Sequence, residues 1–233
     1  MNTHHMICVC HRCTFLGALK IGTAKTGPEV HAVDAPPAAR DRELPDTPVA
    51  FAAEAYLAAV SNITMIRHCI RTYRFGRILA EKAGAKPDLE VLYVASLLHD
   101  LGLETLFDGP EDFETLGARE AKRFLLSEGY AHLADQVAAA IEIHTLTETA
   151  KDPRPEVAYL AIGALCDVAG ARLDQIEPRL IQEIVAEYPR YGTKDLITAL
   201  IQRQIAIKPQ SNIARVAARV DVAGVIRNAP FAG

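Results

Sequence analysis

The stretch VLYVASLLHDLG, residues 91–102, constrains the fold of this chain more than any other segment. Its first eight residues are apolar or small, which is typical of a buried helix, and His99 and Asp100 follow shortly before Gly102. Burying an imidazole beside a carboxylate is costly unless something replaces the lost water. A divalent metal ion does so. The alternatives are an ion pair or a histidinium that caps the negative end of the helix dipole.

The composition is that of a globular protein with one substantial domain. Half of the 233 residues are hydrophobic, yet no block is long and apolar enough to cross a membrane. A net charge of −4 gives no general case for nucleic-acid binding. Residues 88–120 are acidic and residues 190–228 are basic, and we interpret both as solvated faces. We therefore expect neither nucleic acid nor a membrane as partner.

Residues 1–43 differ from the rest and predict a flexible N-terminal extension, ahead of a domain at 44–233. They contain turns, a Pro-Pro pair and a charged run without sustained helical periodicity. Three of the five cysteines crowd into residues 8–13, too close together for the two spaced ligand pairs of a structural zinc site. An odd number of cysteines does not suggest a disulfide framework, so we expect a cytoplasmic protein.

From Leu44 onward the pattern predicts an all-α fold, a bundle of about eight or nine helices around one site. Apolar residues recur at the helical period, and proline and glycine fall between the segments. Asp46 or Thr47 can cap the first helix, and Ser61 or Asn62 the second. The predicted helices lie at about 48–60, 63–84, 88–100, 115–128, 131–145, 156–168, 178–187, 193–206 and 212–227.

Five polar residues on four separate segments share an apolar helical context. They are His68, His99, Asp100, His144 and Asp167. Each alone is more often a satisfied core residue or a solvated helix end. Together, imidazoles and carboxylates with no required thiolate suit a hard or borderline divalent ion, and helices that project ligands inward can build such a site.

The order His68, then His99-Asp100, then Asp167 resembles the H…HD…D signature of the HD-domain superfamily of metal-dependent phosphohydrolases. The segments LPDTPVAFAAE, RHCIRTYRFGRILAE, LLHDLGL, FETLGAREAKRFL and IEIHT together resemble its cyanamide hydratase-like branch. That branch usually has a motif close to NHSxRSYxFG, from which this chain departs at Arg67, Cys69 and Thr72. The departures lie beside His68 and concern the substrate pocket more than the metal. Residues 1–43 fall outside the resemblance.

The resemblance implies that the protein binds one divalent metal ion. Zinc is the first candidate, and Mn²⁺, Fe²⁺ and Co²⁺ are the alternatives. The implied ligands are His68, His99, Asp100 and Asp167, with open positions for water. His144 would then lie nearby as a substrate residue or as a further ligand.

The candidate catalytic residues are Asp100, His144 and Arg71. If one oxygen of Asp100 binds the metal, the other is free to carry a proton from water to the substrate. His144 is the alternative residue for this proton transfer. Arg71 lies one turn from His68 on the same helix face, where it could orient Asp100 or Glu104. Thr145 and Tyr73, with His144, are candidate substrate-binding residues.

The residues after His99-Asp100 bear on whether the reaction is phosphate-ester hydrolysis or hydration of an uncharged molecule. Many phosphohydrolases of the superfamily have a lysine soon after this pair, whereas residues 101–104 here are LGLE. The sequence therefore favours a hydratase or hydrolase of a small uncharged molecule, in which hydroxide at the metal adds to a nitrile-type carbon. The first alternative is a phosphohydrolase of a nucleotide or phosphate ester, with Arg71 and the basic C-terminal helices holding phosphate. The second is a non-catalytic module with a structural metal.

A homodimer is compatible with the apolar faces, but no segment marks an interface.

Overall fold

The computed structural model describes residues 41–231, and within that range the chain forms helices and turns without a β-strand. The all-α prediction is confirmed, with ten helices in these residues where eight or nine were predicted. They are α1 Pro48–Val60, α2 Ile63–Lys82, α3 Leu89–Leu98, α4 Phe113–Ser127, α5 Ala131–Glu142, α6 Pro155–Ala169, α7 Pro178–Glu187, α8 Thr193–Ile207, α9 Asn212–Ala217 and α10 Val222–Arg227. None of these helices is long and apolar enough to span a bilayer. The predicted N-terminal extension, with its cysteines, lies outside the described residues up to residue 40.

The helix starts follow the capping residues in the sequence. Thr47 Oγ1 accepts a hydrogen bond from the backbone of Ala50 at 3.3 Å. Asn62 Oδ1 accepts one from Met65 at 3.1 Å. Each cap satisfies a backbone N–H that the first helical turn leaves without a partner. α6 ends at Gly170, whose φ of 75° lies in the left-handed region where a side chain would be strained.

Two predicted helices differ from the structure, one at its C-terminal end and the other in its middle. The helix predicted for 131–145 ends at Glu142, because the His144 side chain takes up the Ile141 carbonyl through Nδ1 at 2.7 Å. The single helix predicted for 212–227 is divided into α9 and α10. Asp221 accepts a hydrogen bond from the backbone of Gly224 at 2.8 Å and so begins a new helix.

α3 is the centre of the domain, as its sequence predicts. Every residue from Val91 to Leu98 is buried. The helix contacts α1, α2, α4, α5 and α6. Because neighbours surround it, the helix has no solvated face, which explains its continuous apolar sequence.

α2 and α6 cross in close antiparallel contact through two glycines. A Cβ on Gly76 would overlap the carbonyl oxygen of Tyr159, and a Cβ on Gly163 would overlap that of Thr72. The two helices are antiparallel, so Gly76 lies opposite Tyr159 and Thr72 lies opposite Gly163. Four residues further along each helix, the same register places His68 opposite Asp167. The glycine crossing therefore sets the position of two site residues.

Gly102 has a second role besides ending the buried stretch. A Cβ on Gly102 would overlap the carbonyl oxygen of Phe113, at the start of α4. A Cβ on Gly117 would lie 3.3 Å from the carbonyl oxygen of His99. α4 thus packs directly on the backbone of the His99-Asp100 turn and fixes it from one side.

Candidate metal centre

Four parts of the fold bring five polar side chains together. α2 carries His68, the end of α3 carries His99 and Asp100, the turn after α5 carries His144, and α6 carries Asp167. Each of the five is at most 7% exposed. The backbone of Asp100, with φ −101° and ψ 11°, leaves the helix and turns its carboxylate toward the histidines.

The Asp100 carboxylate is the meeting point of the three imidazoles. Its Oδ2 lies 3.4 Å from His68 Nε2 and 3.3 Å from His99 Nε2. Its Oδ1 lies 3.8 Å from His144 Nε2. Ligand atoms of His68, His99 and Asp100 all lie within 4.8 Å of one another. These three of the four predicted ligands therefore converge.

The outer nitrogen of each imidazole already has an acceptor. His99 Nδ1 lies 2.8 Å from the carbonyl of Ser96, and His144 Nδ1 lies 2.7 Å from that of Ile141. His68 Nδ1 lies 2.8 Å from Asp167 Oδ2. A ring that donates through Nδ1 presents a lone pair at Nε2 when it is neutral. Lone pairs directed at a carboxylate repel it unless a cation lies between, so this donor set fits a divalent metal.

Asp167 lies on the far side of His68 from that group. Its Oδ1 accepts from Arg71 Nε at 2.7 Å, its Oδ2 accepts from Arg71 NH2 at 3.0 Å, and Arg190 NH1 donates to Oδ1. Burial would raise the pKa of Asp167, but Arg71, His68 and Arg190 outweigh it and hold the pKa well below the usual range. In this arrangement the carboxylate orients the ring of His68.

Arg71 and Tyr73 do not reach the converging group. Arg71 donates to Asp167, to the carbonyls of Tyr188 and Pro189, and to Thr193 Oγ1 at 3.1 Å, and not to Asp100 or Glu104. The Tyr73 hydroxyl donates to the Glu43 carbonyl at 3.2 Å. Neither side chain lines the cavity beside the site. Arg71 and Tyr73 are therefore placed to stabilise the fold around the site.

A cavity of about 410 Å³ opens from the three imidazoles. His144 and Thr145, two of the predicted substrate-binding residues, line it, and apolar side chains of α6, α8, α9 and α10 make up half of the lining residues. The departures from the branch motif, Arg67, Cys69 and Thr72, are absent from the described lining. Of the nine acidic residues between 88 and 120, Asp100 alone lines the cavity within the described range.

The protonation of the site follows from burial and charge. Burial would lower the pKa of His68, but hydrogen bonds to Asp100 and Asp167 outweigh it and raise the pKa. Burial would raise the pKa of Asp100, but His99 and His68 lower it well below the usual range. Burial and the nearby His99 lower the pKa of His144 to about 4. His144 is therefore neutral at physiological pH.

Sequence reasoning missed two buried charged residues near the site. Glu114 on α4 is fully buried and accepts a hydrogen bond from Thr145 Oγ1, while its Oε2 lacks a partner among residues 41–231. Burial raises the pKa of Glu114. Its place beside Phe113 on the apolar face of α4 was a signal. Arg190 lies in a loop, and no pattern there indicated its contact with Asp167.

A comparison with protein families agrees with this geometry. The family model described as HD domain matches residues 65–222, a range that contains all five polar residues of the site. No curated protein matches the chain. Members of the family are generally metal-dependent hydrolases, and the converging histidine and aspartate ligands fit a divalent metal. Since the match covers well over half of the chain, this protein belongs to the HD domain family.

Proposed function

We propose that this protein is a metal-dependent hydratase that adds water to a small uncharged substrate of the nitrile type. The observation that carries the proposal is the group of three converging residues, His68, His99 and Asp100, in the lining of a largely apolar cavity. Zinc is the proposed metal, because imidazole and carboxylate ligands both suit it. Asp167 is either a fourth ligand, as the cyanamide hydratase-like resemblance implies, or the group that orients His68.

Asp100 is suited to move the proton in this reaction. A bound divalent ion lowers the pKa of water toward neutrality and polarises a substrate. Oδ2 of Asp100 lies near His68 and His99, whereas Oδ1 lies 3.8 Å from His144 Nε2, and both Asp100 and His144 line the cavity. In hydration of a nitrile to an amide, the water oxygen bonds to carbon, two of the three carbon–nitrogen bonds are lost, and both water protons end on nitrogen. Oδ1 can accept each proton in turn from oxygen and deliver it to nitrogen.

His144 is suited to orient the reactants. Because its pKa is lowered to about 4, it is neutral, and its Nδ1 is engaged by the Ile141 carbonyl. Its Nε2 therefore accepts a hydrogen bond from water or from a substrate N–H group. Thr145 adds a hydroxyl at the same wall, held by Glu114.

The placement of the cations disfavours phosphate-ester hydrolysis. Phosphate transfer needs positive groups beside the developing charge. Arg71 is engaged by Asp167, and Arg203 and Lys208 contact Asp108. Arg172, which is exposed, is the single arginine or lysine among the described lining residues.

Elemental analysis and two substrate panels test the proposal. Protein purified without chelator should contain about one divalent ion per chain. It should convert cyanamide, acetonitrile or benzonitrile to the urea or amide, and release no phosphate from nucleoside mono-, di- and triphosphates. His99→Ala should lose the metal and the activity together, because His99 Nε2 is one of the converging atoms.

The other outcomes select among the alternatives. Phosphate release without amide formation would make the protein a phosphohydrolase. A bound metal without turnover on either panel would favour a non-catalytic module. A chain that neither contains a metal nor takes one up would rule out the two metal-dependent enzymes.

A further inference from the structure

The cavity beside the metal centre is much larger than a nitrile of a few atoms requires. Its volume of about 410 Å³ falls within the range of roughly 300–1,000 Å³ that is usual for drug-sized ligands. His68, His99 and Asp100 are three of the residues that line this volume, and most of the other lining residues are apolar. A very small substrate would leave most of the space to water.

The wall away from the metal centre is apolar on every helix that contributes to it. Ile162 and Val168 come from α6, Ile201 from α8, Val216 from α9 and Val225 from α10. Water in such a space finds few hydrogen-bond partners, and removing apolar surface from it is favourable. The division of the C-terminal segment into α9 and α10 lets both pieces contribute to the wall.

The apolar lining continues to solvent. Leu146, Leu165, Val220 and Val225 all line the cavity, although they are 39%, 54%, 47% and 41% exposed. Exposed apolar side chains that cluster at one opening mark ligand-binding surfaces more often than scattered ones do. Their contiguity with the cavity indicates an apolar entrance as well as an apolar interior.

The lining also offers few partners for a charged ligand. Among the described lining residues, Asp100 is the single carboxylate and Arg172 the single arginine or lysine. A polar body buried here would lose its hydration without gaining hydrogen bonds. The lining therefore selects for an apolar body over a sugar or a phosphate.

We propose that the substrate carries an apolar body that fills the cavity between α6, α8, α9 and α10, with its reacting group at the metal centre. Only the nature of the reacting group in this inference rests on the proposed function. The apolar body is argued from the cavity and stands on its own evidence.

Binding of n-alkanols, from butanol to octanol, tests the apolar body without any reaction. Calorimetry on the metal-loaded protein should show affinity rising about fourfold for each added methylene, the factor that corresponds to about 0.8 kcal/mol per buried CH₂. In parallel, kcat/KM for the matching series of n-alkanenitriles should rise with chain length.

Variants at the entrance give the matched control. Leu165→Asp places a carboxylate on an exposed lining position and should weaken octanol binding at least tenfold. Leu126→Asp on α4 makes the same change at a position that is 50% exposed and outside the lining, and should leave binding unchanged. Ala164→Phe should reduce the chain length at which affinity stops rising, because Ala164 also lines the cavity.

The outcomes separate this inference from the proposed reaction. Alkanol affinity that is independent of chain length, or equal in Leu165→Asp and Leu126→Asp, would overturn the apolar body even if nitriles are hydrated. Alkanol affinity that rises with chain length and responds to Leu165→Asp, with no nitrile hydrated, would support the apolar body and remove the nitrile reaction.

Discussion

His68 Nδ1 lies 2.8 Å from Oδ2 of Asp167, across the crossing of α2 and α6 at which Gly76 and Gly163 allow the two helices to approach closely. The same ring directs Nε2 toward Asp100 Oδ2 at 3.4 Å. One imidazole thus joins a carboxylate held by two arginines to the group of converging ligand atoms. A carboxylate behind a ligating histidine fixes the ring and increases its basicity.

Asp167→Asn should destabilise the protein and weaken metal binding without abolishing it. Arg71 and Arg190 would remain buried without their counter-charge, which costs on the order of 3–5 kcal/mol. Loss of the carboxylate behind His68 should reduce metal affinity about 10- to 100-fold. Urea unfolding and a metal titration measure the two effects.

The exposed Asp135 provides the control for Asp167, because its carboxylate is 84% exposed and pairs with Lys122. Asp135→Asn should change the free energy of unfolding by less than about 0.5 kcal/mol. A folded Asp167→Asn protein with no metal affinity would instead make Asp167 a direct ligand.

His99→Ala should remove the metal and its stabilising effect. The variant deletes one of the three converging ligand residues and leaves the Ser96 carbonyl without its imidazole donor. A chelator should lower the melting temperature of the wild type and leave that of His99→Ala unchanged. His132→Ala, at an exposed position on α5, should keep the wild-type response. Equal chelator responses in the wild type and His99→Ala would contradict the site.

His144 should make the fold less stable in acid. Burial lowers its folded-state pKa to about 4, below the usual 6.5, so the unfolded chain binds the proton first as the pH falls. The associated stability is present above pH 6.5 and is lost progressively toward pH 4, by about 3 kcal/mol in total. His144→Gln should therefore lose less stability than the wild type between pH 6.5 and 4. Parallel unfolding curves in chelator would contradict this.

Gly163→Ala should damage both the fold and the metal site. The added Cβ meets the backbone carbonyl of Thr72, so α2 and α6 must separate. Overpacking of this kind costs about 1–3 kcal/mol, although alanine favours a free helix. Metal affinity should fall as well, because the crossing positions His68 against Asp167. Thermal melts and metal titration measure both.

Gly84→Ala separates general strain from this specific contact. Gly84 has a φ of +71° and open space around its Cβ position, so alanine there costs about 1–2 kcal/mol of backbone strain. Its metal affinity should remain that of the wild type. Equal losses of metal affinity in the two variants would show that the glycine crossing has no special role.

Glu114→Gln should stabilise the protein more at pH 8 than at pH 4.5. Burial raises the folded-state pKa of Glu114, so its contribution to stability is full below the unfolded pKa and is lost as the pH rises through the folded one. The difference should grow by about 1.4 kcal/mol for each unit of that rise. Glu128→Gln, at an exposed position, controls for the substitution itself. A pH-independent difference for Glu114→Gln would contradict a raised pKa of the buried Glu114 carboxyl.

The sequence by itself determined the all-α class, the central buried helix and the candidate ligands. Local rules explain this, because helical period, capping residues such as Asn62 and helix-ending glycines such as Gly170 act over a few positions. The same rules predicted a helix that is too long at 131–145 and a single helix at 212–227 where the structure has two. There a side chain, His144 or Asp221, competes for backbone groups, and helical periodicity does not report such contacts.

Only the tertiary structure decided which polar residues meet and which merely support them. His68, His99 and Asp100 converge, while Arg71 and Arg190 hold Asp167 behind His68. These contacts join residues about 20 to 100 positions apart, and they depend on helix crossings set by glycines whose close contacts are invisible in one dimension. The apolar cavity likewise exists only where four helices meet, so the sequence indicated a metal and the fold supplied the space beside it.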